Sequence, residues 1–394
     1  MRIAISGAGI AGTALAYWLK RYGHEPTLIE KAPRLRTEGY VVDFWGLGLT
    51  VTERMGLLDK VMKQGYTQRE VRFVGDDNAR VGGFSTGILH KLTDGRFTTI
   101  RRGALVEMFF EALNGQVESI FGDQVTKLTE KPDGISVILQ HGGDREFDLV
   151  IGADGLHSAV RGLSFGTEAQ FETYLGYAVA AFEVTGYRPR DEDIYVIHPA
   201  ASRQLARFAL RDDRTLFLFL FTCDPDRAQV QMTTPQVREL LREQFSDVGW
   251  EAQNILATME GVDDIYFDRM SQIRMPCWHK GRVALVGDAA AAVSLLAGEG
   301  TGLALVETYI LAGEIARAGS DYRRAFQAYE ERLRPFLKHK QEISARSGST
   351  FVPSTEFGVW VRNQATKLMG IPGVASFFLG RHLRDDLELP VYEE

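Results

Sequence analysis

The segment Gly7-Ala8-Gly9-Ile10-Ala11-Gly12 lies between a short apolar run, residues 2 to 6, and a stretch rich in Ala, Leu and Trp that reaches Tyr22. Three glycines at that spacing leave the chain few options. Gly7 permits a tight turn, Gly9 lets a ligand come up to bare backbone, and Gly12 lets a helix lie close on a strand. The run Pro26 to Glu30 then predicts a second strand that ends on an acid. Strand, helix and strand in that order make a right-handed β-α-β unit with a parallel pair. The free N–H groups and positive dipole at the helix start suit a pyrophosphate, and Glu30 suits the hydroxyls of an unphosphorylated ribose. The turn therefore reads as a dinucleotide site.

A parallel strand covered on both faces is continuously apolar. Leu149, Val150 and Ile151 meet that description, as do Val283, Ala284, Leu285 and Val286, and both runs end in Gly plus Asp. The first leads through Asp154 and Gly155 to Arg161. The second leads to Asp288, and later to Gly298-Glu-Gly-Thr-Gly302 at the start of a helix. An aspartate at the end of a buried strand suits a polyol chain. Bare N–H groups at a helix start suit negative charge on a planar heterocycle. The sheet begun at residue 2 is thus completed at 149 and 283, with other structure inserted between.

Residues 171 to 271 differ in kind, with short strand-like segments such as DIYVIH, QLARFAL and RTLFLFLF set between turn residues. They predict a mainly antiparallel sheet. Strand period places Phe217, Phe219 and Phe221 on one face and Leu216, Leu218 and Leu220 on the other. The phenylalanine face is expected to line a pocket, since flat rings suit a flat substrate. His198 and Arg207 are further pocket candidates, with a packed or surface role as the plain alternative. From residue 302 the chain turns helical, and Pro335 is expected to bend or restart the helix over 321 to 344.

Charge and cysteine content narrow the function. Among 394 residues, 45 are Lys or Arg and 52 Asp or Glu, a net charge of −7 with the signs interspersed. No basic surface results, so nucleic acid is not an expected partner. Cys223 and Cys277 are too few for a disulfide framework and lack a zinc-ligand pattern, so no metal is expected, and reduced thiols fit a cytoplasmic chain. No apolar stretch is long enough to predict a membrane span. The apolar segment from Phe357 to Leu379, interrupted by Pro372, is expected to dock on the chain's own core. His157 reads as a structural residue, and no metal-hydrolase or serine-hydrolase motif occurs.

Taken in order, GAGIAG, GADGLHSAVR and GRVALVGDAA resemble the motifs of the FAD-dependent group A flavoprotein monooxygenases, the family of para-hydroxybenzoate hydroxylase. In length the chain is most similar to the tetracycline-modifying members, and the resemblance covers residues 1 to 345. It implies an α/β chain: a Rossmann-like FAD-binding fold of the second glutathione-reductase type, an inserted mainly antiparallel substrate sheet, and C-terminal helices. Residues 1–70, 95–170 and 272–320 would form the FAD-binding domain, 71–94 and 171–271 the substrate domain, and 321–394 a C-terminal helical region. FAD is the implied cofactor, with NAD(P)H as co-substrate, O2 as oxidant and an aromatic or polyketide-like small molecule as substrate. A monomer or weak homo-oligomer is expected.

Carried over by position, Gly7, Gly9, Ala11 and Gly12 are similar to the family's pyrophosphate turn, and Glu30 with Lys31 to its ribose end. Asp288 is similar to the ribityl-binding aspartate, and Gly298, Gly300, Thr301 and Gly302 to the turn at the flavin pyrimidine edge. Arg102 resembles an arginine placed beside FAD, and Asp43 falls in a segment that runs near the flavin ring. Asp154, with Gly155 and Arg161, resembles a segment that handles both FAD and NAD(P)H. No catalytic acid or base is assigned.

The chain also departs from the family. Val293 and Leu295 stand where many members have proline, and Ala291 where histidine is common. Proline presets φ, so this loop is expected to be looser. That keeps a second reading open, a flavoprotein with a structural or non-oxygenating FAD that binds or cyclises its ligand, or a flavin dehydrogenase. No Trp-x-Trp-x-Ile-Pro segment marks a halogenase, and no second GxGxxG marks a separate nicotinamide domain.

Overall fold

A computed structural model describes residues 1–36, 39–228, 232–295, 298–369, 373–374 and 385–392. Its first layer is a six-stranded sheet in the order His279–Lys280, Val283–Leu285, Leu149–Gly152, Arg2–Ser6, Glu25–Glu30 and Glu118–Phe121. Every neighbouring pair is parallel except the first. The central strands are buried on both faces, which is why they carry no polar alternation. The helices Ile10–Arg21 and Gly300–Ala318 pack on one another over this sheet.

The inserted layer is a seven-stranded sheet in the order Tyr266–Ile273, Glu172–Thr185, Arg214–Thr222, Arg203–Ala209, Ile194–Ala200, Glu70–Val74 and Arg80–Ser85. It is antiparallel apart from the parallel pair Ile194–Ala200 and Glu70–Val74. Two helices, Thr234–Phe245 and Ala252–Thr258, cover one face. The first starts at a capping box between Thr233 and Gln236, and buries Val237, Leu240, Leu241 and Phe245 at helical spacing. The other face meets Tyr40, Val41 and Tyr66 of the N-terminal region.

The C-terminal region differs from expectation in three ways. Tyr322–Phe351 is one helix straight through Pro335, because the buried stripe Phe326, Tyr329, Leu333, Phe336 and Leu337 holds it on the first layer's core. Residues 385–392 form neither helix nor strand, and Leu389 and Tyr392 sit in that same core. The helix Glu356–Leu368 turns Val359, Asn363 and Thr366 inward but leaves Phe357 72% and Trp360 57% exposed. Over the described part of the stretch from Phe357 to Leu379 the docked face differs from the apolar one expected, since its inward stripe is small and partly polar. Pro372, Phe377 and Phe378 lie outside the described residues. No described helix is long and apolar enough to cross a membrane.

Candidate functional site

Three motifs far apart in sequence meet because their strands are neighbours. Ser6 pairs in register with Gly152, and Gly152 with Leu285, so the turns after all three strands emerge side by side at the carboxyl edge. Ligands bind at that edge in open parallel sheets.

The glycines of the first turn do two different jobs. A Cβ on Gly7 (φ 101°) would lie 2.6 Å from Ala153 O, and one on Gly12 would lie 1.8 Å from Gly7 O. Both glycines are imposed by the protein's own backbone. A Cβ on Gly9 would meet only the tip of Arg102, at 3.6 Å. Nothing in the chain requires glycine there, and the space it leaves fits an external group lying on the backbone. Glu30 sits beside it, accepting the N–H of Ala8 and of Ala32 at 2.9 Å each. Lys31 follows on an open recess of about 680 Å³ lined also by Arg34, Arg36, Asp123 and His141.

The second motif is braced from within the protein. Asp154 accepts from the Ser158 hydroxyl at 2.5 Å, the Val160 N–H at 3.1 Å and Ser6 at 3.4 Å. Arg161 is fully buried, and donates to Ala289 O at 3.1 Å and to Glu168 at 3.0 Å. It fastens this turn to the one carrying Asp288. Arg161 thus acts as a positioning residue, while Asp154 is half-buried at the same edge.

Asp288 opens onto a cleft between the two sheets. It is exposed to that cleft yet surrounded by protein, so burial raises its carboxyl and the Arg102 guanidinium opposes the rise. Tyr40 and Tyr266 stand close by, with ring centroids 5.1 Å apart, and burial raises both hydroxyls. Ala11 packs under the Asp288 turn, 3.2 Å from where a Cβ of Gly287 would stand. Across the cleft, Gly300, Thr301 and Gly302 open the helix Gly300–Ala318, and its start meets the helix Gly46–Arg54 backbone to backbone. A Cβ on Gly48 would lie 2.5 Å from Gly302 Cα. Asp43, on the strand before, is raised by burial and held by Thr99. Trp45 and Gly298 face one another on the same wall.

Sequence reasoning missed Glu307. It is buried in the helix Gly300–Ala318, accepts the Gly287 N–H at 2.8 Å and the Tyr329 hydroxyl at 3.2 Å, and so fixes the turn before Asp288. Burial pushes its carboxyl up to about 8. A lone acid in the run LALVETYILAG was the available signal.

All three pocket candidates on the inserted sheet are corrected. Phe217 is 0% exposed and packs between Phe182 and Tyr187 under the covering helices. Arg207, paired opposite Phe217, is buried between Asp191 and Glu251 and lies over the Trp250 ring. His198 is on the same face, 3.1 Å from Val74 O and stacked on Trp250. The amphipathic helices cover this face, so the leucine face borders the cleft, where Leu218 and Tyr195 are only half-buried. The start of the loop after Asp288 has restraints of its own. Gln341 donates to Ala292 O at 3.0 Å and Gln272 to Val293 O at 3.2 Å, which ties the loop without proline.

One hydrogen-bonded series leads out of the cleft. Tyr266 donates to Asp268 at 3.4 Å, Asp268 meets His157 Nε2 at 3.2 Å, and His157 Nδ1 meets Glu168 at 2.9 Å. Burial works against a charged imidazole, but the bonds to Asp268 and Glu168 and their charges outweigh it and hold the group up at about 9. An unfolded histidine titrates near about 6.5. The stability from this charge is thus complete below about 6.5 and lost as pH rises through 9. His157→Gln is expected to flatten the fall in melting temperature across that window, and an unchanged slope would show that the folded ring is neutral.

The sequence profile of the FAD binding domain family matches residues 1–342. An uncharacterized protein of Mycobacterium tuberculosis is 38% identical over 362 residues, 90% of this chain and 96% of its own. A flavin-dependent monooxygenase from an unknown prokaryotic organism is 34% identical over 361 residues, 92% of this chain and 89% of its own. Among solved structures, the tetracycline destructase Tet(51) superposes with a TM-score of 0.85 at 30% identity, covering 99% of each chain.

Proposed function

Since this chain belongs to the FAD-binding domain family and is a flavin-dependent monooxygenase of the group A type, we propose that it uses NAD(P)H and O2 to hydroxylate an aromatic or polyketide-like small molecule in the cleft between its two sheets. The observation that carries this reading is the meeting of three glycine and aspartate turns at one sheet edge, opposite an apolar sheet face. Bound there, FAD supplies the redox chemistry that side chains lack.

The residues divide the work of holding it. The turn at Gly7, Gly9 and Gly12 would take the pyrophosphate on bare N–H groups, with Arg102 as the nearest cation, and Glu30 would accept the ribose hydroxyls. Asp288 would hold the ribityl chain. The N–H groups of Gly300, Thr301 and Gly302 would face the pyrimidine edge, where helix-start donors favour added negative charge. Tyr195 and Leu218 would seat a flat substrate and keep water from it. Tyr266, held by Asp268, would orient a substrate hydroxyl at the start of the series that runs to His157 and Glu168. The bonds from Gln341 and Gln272 hold the start of the loop after Asp288, which favours this reading over a non-oxygenating FAD.

The purified protein is expected to be yellow, with one FAD per chain. Asp288→Ala should weaken FAD binding about tenfold to a hundredfold, the worth of a charge-assisted acceptor at ~1.5–3 kcal/mol. Unchanged retention would remove Asp288 from the site. Anaerobic NADPH should bleach the flavin and air restore it, with product mass raised by one oxygen atom for the right phenol or polyketide. A flavin that stays yellow under both NADH and NADPH, with substrate present, would favour the structural-cofactor reading.

A further inference from the structure

The turn at 298–302 carries an acid, Glu299, at the place where the fold offers N–H groups to negative charge on a ligand. Left alone, its carboxylate would compete for those donors and repel the charge they are placed to accept. The structure instead turns it away onto Lys340. Lys340 Nζ lies 2.6 Å from Glu299 Oε2 and 2.9 Å from Asp385 Oδ1, and the three side chains are only 7%, 10% and 12% exposed.

Asp385 does more than share the lysine. Its second oxygen accepts the Leu47 N–H at 2.8 Å, at the start of the helix whose Gly48 abuts Gly302. One ammonium thus ties together the turn at 298–302, the C-terminal segment and the helix Gly46–Arg54. All three border one small cavity with Asp43 and Trp45 on its wall.

We propose that Lys340 is a positioning residue for the flavin, holding Glu299 and Asp385 so that the 298–302 turn presents its N–H groups to the cofactor and the C-terminal segment becomes part of the cofactor site. The proposal rests on the reading that this turn borders FAD.

The charges facing Glu299 are Lys340 from the long helix and Asp385 from the C-terminal segment, with Asp43 on the cavity wall. Burial, helped by Asp385, outweighs the downward pull of Lys340 and leaves the Glu299 carboxyl at about 7. Without the ammonium, the titration moves higher. Below it a protonated Glu299 is tolerated, and above it a buried charge forms without a counter-ion.

The test measures FAD released from diluted holoenzyme, read by its fluorescence, between about pH 7.5 and 9. Wild-type affinity should hold within about threefold, while Lys340→Met should lose at least about tenfold over that range. Adding Glu299→Gln to Lys340→Met removes the titrating charge and should restore a flat profile. The proposal is overturned if Lys340→Met tracks the wild type, or if the double variant is no better than the single. Should Lys340→Met not fold, the double variant is expected to fold and hold FAD, and its failure to do so counts against the proposal equally. A wild type that binds no FAD at any pH would instead sink the cofactor assignment beneath it.

Discussion

In thermal melts of FAD-stripped protein, Gly12→Ala is expected to lose at least ~3 kcal/mol of stability, whereas Gly9→Ala should stay within about 1 kcal/mol of the parent and yet bind FAD at least about tenfold more weakly. The two substitutions are chemically identical, and only their surroundings differ. At Gly12 the new methyl would sit 1.8 Å from a backbone oxygen of the same turn, and no side chain is there to swing aside. At Gly9 it would stand 3.6 Å from a guanidinium tip, and the extended backbone, φ −78° and ψ −164°, suits alanine. Its only victim is a group that lies on that backbone from outside. Equal melting temperatures for the two variants would contradict the packing at Gly12. Undiminished FAD affinity in Gly9→Ala would move the pyrophosphate elsewhere.

Phe217→Ala should cost ~3–5 kcal/mol, the range for emptying a closed aromatic site, with FAD binding and substrate KM unchanged. Phe217 stands edge-on to Tyr187 at 4.9 Å and against Phe182 at 5.4 Å, in a layer that Phe219 and Phe221 continue onto Phe245. Removing its ring leaves a void between sheet and helices that neither layer can close. Leu218→Ala, one residue on and facing the cleft, should show the opposite balance, a smaller loss of stability with a raised KM or with NADPH oxidation uncoupled from product. A Phe217→Ala protein with normal melting and altered KM would return the pocket to the phenylalanine face.

The first sheet was legible because its signals are local. Continuous apolar runs at residues 3 to 5, 149 to 151 and 283 to 286 can only be strands covered on both sides, and glycine at 7 and 12 is written by the backbone's own geometry. The order of the three motifs then fixed where they meet, since a right-handed crossover leaves parallel strands with their carboxyl ends together. Glu30 and Asp288 follow as residues at the ends of such strands. The restraints at the start of the loop after Asp288 were not legible, since they are amides from Gln272 and Gln341, remote in sequence and ordinary in type.

What the sequence determined by itself is the set of elements and the division of each strand into two faces, because both depend on spacing along one chain. What only the tertiary structure decided is which face meets the cleft. Strand period separates Phe217 from Leu218 but is symmetrical between them, and the choice is made by where Thr234–Phe245 and Ala252–Thr258 come to rest. The same holds for Glu307 under the Asp288 turn and for Lys340 between Glu299 and Asp385. A buried charge is stable only opposite its partner, and the partner's position is a property of the folded layers, which no local pattern encodes.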